Sequence, residues 1–316
     1  MSQKKLENLV QKIKKNHIDT HDKKIIVACS GGPDSMVLLD LYVKGILPSS
    51  GIIVAHINHN LRKTAKRDET LVEKYCTKHG LIFELLQADI KKEAKKTKTT
   101  IEECARNVRK KWLEKIRKKY NADFIATAHH SDDQAETILY RITKGTALTG
   151  LVGVESLVGN YIRPLLAVTK DEILEYAQKN KVPFGHDETN DDTSIPRNLL
   201  RHTVLPEIRT INPEVNSALS RLSRSAQELK MSFDAFFTEV AEKKSFSLDW
   251  YHSLPIGFQH ELLRFLYEQS NGSTHGLSTA LIDELDRFLS TRNGGRKEIK
   301  KLSLVKKQGQ VLIGKK

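Results

Sequence analysis

Five groups able to bind a cation or move a proton stand within eight consecutive residues of "ATAHHSDDQAETIL", 126 to 139: His129, His130, Asp132, Asp133 and Glu136. Ser131 and Gln134 have capping-box spacing, so a helix is expected to open at Ser131. On that helix Asp132 and Glu136 are four residues apart and Asp133 and Glu136 three, which crowds the carboxylates onto its first turns. Such a cluster suits a cation. It could be a metal held with a histidine, as in a phosphohydrolase, or an ammonium group. Acids in a first turn also complement the helix dipole without any ligand.

A second concentration lies in "KIIVACSGGPDSMVLLDLY", 24 to 42, where an apolar run breaks at Ser30 and resumes at helical spacing from Met36. Gly31 and Gly32 permit close backbone approach and unusual φ angles, and the N–H groups of the helix that follows form an anion site. The loop lacks the Gly-Lys-Ser/Thr ending of a Walker motif, so it brings no lysine to a γ-phosphate, and it is not a G-x-G-x-x-G. Asp34 inside an anion-binding loop calls for a divalent cation between it and the phosphates, or else serves as a helix cap.

Three further stretches carry charge in patterns. "AHINHNLRKTAKRDE", 55 to 69, holds His56 and Arg62 at a strand's carboxyl end. In "TIEECARNVRKKW", 100 to 112, Glu102, Arg106 and Arg109 share a helix face, as a salt-bridge ladder or an anion-facing patch would. "HDETNDDTSIPRNLLRHTVLPEI", 186 to 208, reads as a polar loop and then a helix bearing arginines.

These stretches need a scaffold that gathers them. Short β-branched runs at 24–29, 51–57, 81–87 and 123–128 alternate with amphipathic stretches at 35–47, 67–79 and 100–119. That alternation predicts an α/β, doubly wound, mainly parallel sheet covered on both faces. In such a sheet, ligands gather at the strands' carboxyl ends. Thr100 with Glu103 and Thr169 with Glu172 mark further helix starts, and Gly80 a helix end. After "LPEIRTINP" the pattern becomes helical at 214–243, 257–270 and 278–291, and the tail reads as a hairpin around Gln308-Gly309 with a basic face. The division expected is a catalytic domain over 1–211 and a smaller, mainly helical, basic domain over 212–316.

The 316 residues carry 52 Lys+Arg against 39 Asp+Glu, a net charge of +13 spread over both parts, which favours a polyanionic partner. Cys29, Cys76 and Cys104 show no paired spacing, which argues against a disulfide framework or a zinc or iron–sulfur cluster. No apolar run approaches the roughly 20 residues that span a bilayer, so no membrane partner is expected and the chain is expected to be cytoplasmic.

"SGGPDS" after a hydrophobic strand resembles the PP-loop of the ATP pyrophosphatases, which cleave ATP between its α and β phosphates and activate a carbonyl oxygen as an adenylate. That resemblance implies an ATP site formed by Ala28, Ser30, Gly31, Gly32, Pro33, Asp34 and Ser35 with His56, and Mg²⁺ on Asp34. The loop alone does not choose among members. "HINHNLR" with the "AKRDE" that follows is similar to the H-x-N-H-x-L-R…A-x-x-D-E signature of the tRNA(Ile)-lysidine synthetase family. "IEECARNVR" is similar to that family's L-E-E-x-x-R-x-x-R-Y, with lysine after Arg109 where the family often has tyrosine. "HHSDDQAET" is similar to H-H-x-x-D-Q-x-E-T. In 186 to 208, Asp187, Asn190, Arg197, Asn198, Arg201 and His202 match a fourth motif.

The resemblance implies ligation of free L-lysine to carbon 2 of the wobble cytidine of isoleucine tRNA with a CAU anticodon, through an adenylated base. AMP and pyrophosphate are released, and the codon read changes from AUG to AUA. It implies lysine held by Asp132, Asp133 and Glu136, tRNA met by Arg62, Arg106, Arg109, Arg197 and Arg201, and catalysis by Asp34, Asp133, Glu136 and Arg109. The region after 212 fits the family's shorter form, and a homodimer is among the expected partners. The rivals are a PP-loop tRNA thiolase, which would need sulfur-handling cysteines, a metal-dependent phosphohydrolase, and a non-catalytic basic RNA-binding protein.

Overall fold

The computed structural model describes residues 3–16, 18–60, 65–185, 195–274, 276–291 and 293–315. They form two compact units, Met1–Ser223 and Arg224–Lys316. The division falls inside the helix Val215–Lys243 and not at 211, because Val215 and Leu219 pack with Ala135 and Leu205 of the first unit.

Six strands build the sheet of the first unit: β1 (Lys24–Ala28), β2 (Gly51–Asn58), β3 (Ile82–Gln87), β4 (Phe124–Ala126), β5 (Leu157–Val158) and β6 (Tyr161–Ile162). Their order is β3-β2-β1-β4-β6-β5, with every pair parallel except the β5–β6 hairpin at one edge. The doubly wound, mainly parallel fold expected from the sequence is therefore present. Periodicity missed β5 and β6, since two-residue strands carry no run to read.

The sheet is central and dry. Along β1, Ile25 and Val27 enter one core with Leu9, Ile13, Met36, Leu39 and Tyr176, while Ile26 enters another with Leu113 and Ile116. Burial on both faces is why the strand reads as an unbroken apolar run. The helices covering it are α1 (Gln3–Asn16), α2 (Pro33–Val43), α3 (Ala65–Lys78), α4 (Ile90–Thr97), α5 (Ile101–Lys119), α6 (Ser131–Thr143) and α7 (Lys170–Lys179). Buried throughout its middle, α2 sets its one buried acid, Asp40, against Tyr75 Oη at 2.7 Å and Tyr176 Oη at 2.8 Å. Thr100 and Thr169 cap α5 and α7 as expected, and Gly80 follows α3 at φ +63°.

A helical segment then runs through α8 (Pro196–Leu199), a π turn (Leu200–Val204) and α9 (Leu205–Ile211). Pro206 has no N–H to offer residue 202, which accounts for the wider turn before it.

The second unit packs the part of α10 (Val215–Lys243) from Arg224 onward with α11 (Leu248–Ser253), α12 (Ile256–Asn271) and α13 (Thr279–Ser290) around Phe237, Tyr251, Leu262, Leu266 and Leu285. Its sheet has the order β7-β10-β9-β8, from β7 (Ser245–Ser247), β8 (Gly295–Ile299), β9 (Leu302–Lys307) and β10 (Gln310–Lys315). Gln308 and Gly309 turn the hairpin at φ +51° and +73°, the left-handed pair a two-residue loop requires. The expected basic face is incomplete: Lys306 points inward, its ammonium on the Thr291 carbonyl at 2.6 Å.

Candidate active site

The loop after β1 is held by one hydroxyl. Ser35 Oγ accepts from Ser30 N–H at 3.1 Å and donates to the Gly32 carbonyl at 3.0 Å. Gly31 sits at φ +88°, and a Cβ there would lie 3.1 Å from Asp68 Cβ, so both conformation and space require glycine. Gly32 is the N-cap of α2, without side-chain capping, and Pro33 opens the helix where a missing N–H costs nothing. Asp34 therefore lies inside the first turn and is not the cap. Burial raises the Cys29 thiol to about 11, as befits a core thiol.

Beside the loop, His56 is buried with Nδ1 2.9 Å from the Cys29 carbonyl, and burial lowers its pKa so that the neutral ring is favoured. Asn58 Nδ2 donates to Glu69 Oε2 at 2.8 Å, and Gln87 Nε2 reaches the same oxygen at 3.3 Å. Both acids are buried on α3, Asp68 packing against Gly31 of the loop and Glu69 tying together the ends of β2 and β3, roles the sequence reading did not give them. Arg62, Asp187 and Asn190 lie outside the described residues.

The acid cluster begins one residue earlier than expected. His130, not Ser131, is the N-cap of α6, and its N–H donates to Asp133 Oδ2 at 3.0 Å. Ser131 N–H is taken by the Val168 carbonyl at 2.9 Å. Asp132 turns toward α7 and α9, accepting from Lys170 N–H at 2.9 Å and from Arg209. Glu136 is fully buried, receiving Arg197 Nε at 2.9 Å and Arg201 Nε at 2.6 Å. Asp133 meets the same arginines less closely, at 3.6 and 3.4 Å. The cluster extends to the loop, since Lys170 Nζ is 2.5 Å from Asp34 Oδ1.

His130 stands among these acids, 3.5 Å from Asp132, 3.5 Å from Asp133 and 3.8 Å from Asp34. Burial alone would lower its pKa, but the three carboxylates outweigh it and raise it. Asp132 and Asp133 are pressed the other way: burial would raise them, and His130 with the surrounding donors holds both below the usual carboxylate range. His129 differs from its neighbour, burial lowering it to about 4.

The tertiary structure therefore brings Asp34, Asp132, Asp133 and Glu136 together with two predicted arginines, Arg197 and Arg201, and two unpredicted cations, Lys170 and Arg209. Of these, Asp132, Glu136, Lys170, Arg201 and Arg209 line a cavity of about 140 Å³ together with His130. A lysine at a helix's first position, where an acid is the usual choice, was the legible signal for Lys170. Arg209 continues the arginine series 197, 201 at two further turns. Arg106 and Arg109 lie exposed on α5, as does His202 beyond the cluster, whereas Asn198 is buried.

Among the described residues no group of three His, Cys, Asp or Glu side chains is placed to hold a metal, which leaves a self-sufficient metal centre without a donor set. Asp34 alone beside a phosphate-binding loop does fit Mg²⁺, which binds through one or two carboxylates plus substrate phosphates. No helix among the described residues is long and apolar enough to cross a membrane.

Loop, sheet and site define a PP-loop domain, and that family's sequence profile matches residues 2–208. The bifunctional protein TilS/HprT of Listeria monocytogenes is 38% identical over 73% of this chain, a match spanning 36% of its own length. The tRNA(Ile)-lysidine synthase of Thermotoga maritima is 32% identical over 92% of this chain and 70% of its own. Among solved structures, the U34-tRNA thiolase NcsA from Methanococcus maripaludis, with its [4Fe-4S] cluster, superposes at a TM-score of 0.60. At 18% identity over 72% of this chain and 81% of that one, this is a likeness of fold alone. The chain belongs to the PP-loop family and, within it, to the tRNA(Ile)-lysidine synthases.

Proposed function

We propose that this chain ligates free lysine to carbon 2 of the wobble cytidine of a CAU-anticodon isoleucine tRNA, through an adenylated cytidine. One observation carries the reading: the phosphate-binding loop and the acid cluster are one site, joined through Asp34, Lys170 and Asp132. An ATP-cleaving loop and a binding site for an ammonium group would have to be adjacent for this reaction.

ATP is placed with its phosphates against Gly31, Gly32 and the start of α2. Mg²⁺, held by Asp34 and the phosphates, would offset charge at the α-phosphorus. The oxygen on carbon 2 of cytidine attacks that phosphorus and pyrophosphate leaves. The ε-amine of lysine, having shed its proton, then displaces AMP from carbon 2.

Asp133 is the favoured ligand for the incoming lysine. Its arginine contacts are long, whereas both oxygens of Glu136 are closely taken, so Glu136 is better assigned to anchoring Arg197 and Arg201. Those arginines can still present their outer nitrogens to RNA. Arg106 and Arg109, exposed on α5, suit phosphate contact, and the net charge of +13 favours tRNA as partner. A cytoplasmic location follows from the substrates. An unpaired anticodon base is accessible to such a site without melting a duplex.

The test supplies ATP, radiolabelled lysine and isoleucine tRNA with a CAU anticodon, with methionine tRNAs of the same anticodon alongside. Lysine entering the isoleucine species alone is the expected result. ATP consumption with no lysine entering any tRNA would rule the reading out.

A further inference from the structure

The fold brings a third arginine to Arg106 and Arg109, one that no helical spacing announces. Arg163 directly follows β6, where its N–H donates to the Ser156 carbonyl at 2.9 Å and its Nη1 to the carbonyl of Glu155. Tyr161, two residues back, sets β6 against α5 through its hydroxyl, 3.4 Å from the Lys110 carbonyl. The carboxyl end of β6 also adjoins that of β4, with Thr127 N–H donating to the Ile162 carbonyl at 3.0 Å. Arg163 thereby comes near His129, whose pKa is lowered first by burial and then, against the pull of Asp133, by Arg163 and Arg197.

Stability does not explain this arginine. Arg163 is half-buried, its Nε is out of solvent with no partner among the described residues, and a buried donor left unpaired is destabilising. Burial lowers its pKa, Glu155 opposes, and the like charge of Arg106 adds to the lowering. Glu155 is shared, since it acts on Arg141 as well. Among the described residues no carboxylate is ion-paired with Arg106, Arg109 or Arg163, whereas Arg197, Arg201 and Arg209 are each paired with an acid of the cluster. An anion between the three would relieve their repulsion. It is not the anion of the phosphate loop: β4 stands between β6 and β1, so two inter-strand spacings, roughly 10 Å, separate Arg163 from the strand that feeds that loop. Three unpaired cations from two elements suit the repeated phosphates of an RNA strand better than a single carboxylate.

We propose that Arg163 is a further tRNA-binding residue, joining Arg106 and Arg109 in a backbone site that holds a phosphodiester of the anticodon loop while the wobble base reaches the acid cluster. The contact is electrostatic, and no bond is made or broken at it. The Nη1 bond to the Glu155 carbonyl keeps the guanidinium in place before the RNA arrives. The inference rests on the tRNA reading above.

Filter binding of isoleucine tRNA with a CAU anticodon to the whole chain across a series of salt concentrations tests it, using wild type, Arg163→Gln and Arg163→Lys. Calorimetric titration of ATP and of lysine runs alongside. Arg163→Gln is expected to bind the tRNA about tenfold more weakly, the loss typical of one charge-assisted contact. The slope of log affinity against log salt is expected to become shallower by about 0.7 to 1, the mark of one lost phosphate. Arg163→Lys keeps the charge and is expected to keep the slope, and ATP affinity, lysine affinity and melting temperature are expected to hold in both variants. A slope unchanged in Arg163→Gln would overturn the proposal, and if melting temperature and affinity fell together at that constant slope, Arg163 would be a structural prop. Weaker lysine or ATP binding at unchanged tRNA affinity would also overturn it, assigning Arg163 to the lysine carboxylate or to the nucleotide. If lysine never enters tRNA while the slope still depends on Arg163, ligation fails and this assignment stands.

Discussion

Glu136 and Arg201, 65 residues apart in sequence, meet at 2.6 Å with the carboxylate wholly out of solvent. Arg197 takes the other carboxylate oxygen at 2.9 Å. Acid and arginine motifs that suggested separate tasks, lysine on one and tRNA on the other, thus neutralise each other inside the site.

Glu136→Gln keeps the shape and removes the charge on which both arginines rest. Since those arginines retain partial access to water, the destabilisation expected is about 1–3 kcal/mol, the usual effect of removing one partner from a buried polar pair. Thermal denaturation should show a lowered melting temperature, and an unchanged one would mean that the arginines do not depend on Glu136.

Asp34→Ala should stop pyrophosphate release while tRNA binding is largely kept, because Asp34 faces the phosphate loop and no base-reading surface. A loss of about a hundredfold or more is expected for an electrostatic group at the reacting phosphate. Labelled ATP and a filter-binding assay with tRNA report the two quantities separately, and normal turnover would remove the loop from the chemistry.

Asp133→Asn should impair lysine use more than adenylation. Following pyrophosphate release without lysine, and then lysine incorporation as its concentration is raised, separates the partial reactions. Equal loss in both would transfer Asp133 to the phosphates or their cation.

His129 sets a pH dependence of stability. Burial lowers its folded pKa to about 4, below the ordinary value of 6.5, so between these values the unfolded chain binds the extra proton. Its contribution is present above about pH 6.5 and is lost as pH falls toward 4. Melting curves across that window should show wild type losing stability relative to His129→Asn as pH drops. Parallel curves would mean that His129 titrates normally.

Much of the frame was legible before folding. The strands at 24–29 and 51–57 announce themselves because both faces are buried, and Gly80, Thr100 and Thr169 mark helix ends through chemistry confined to one turn. The β5–β6 hairpin is too short for any period to register. The cap at His130 was misplaced by one residue, since Ser131 is drawn away by the Val168 carbonyl, a partner 37 residues on.

The loop's glycines, the place of Asp34 in the first turn of α2 and the spacing of Asp132, Asp133 and Glu136 are local matters, decided by allowed φ angles and the helical period. Those features alone pointed to phosphate and to a cation. Which cation each acid meets was not local. Lys170, Arg197, Arg201 and Arg209 arrive from helices placed by the burial of apolar faces, over separations of 38 to 136 residues. Electrostatic partners at that range have no period in the sequence, so the packing of α7, α8, the π turn and α9 around α6 decides them.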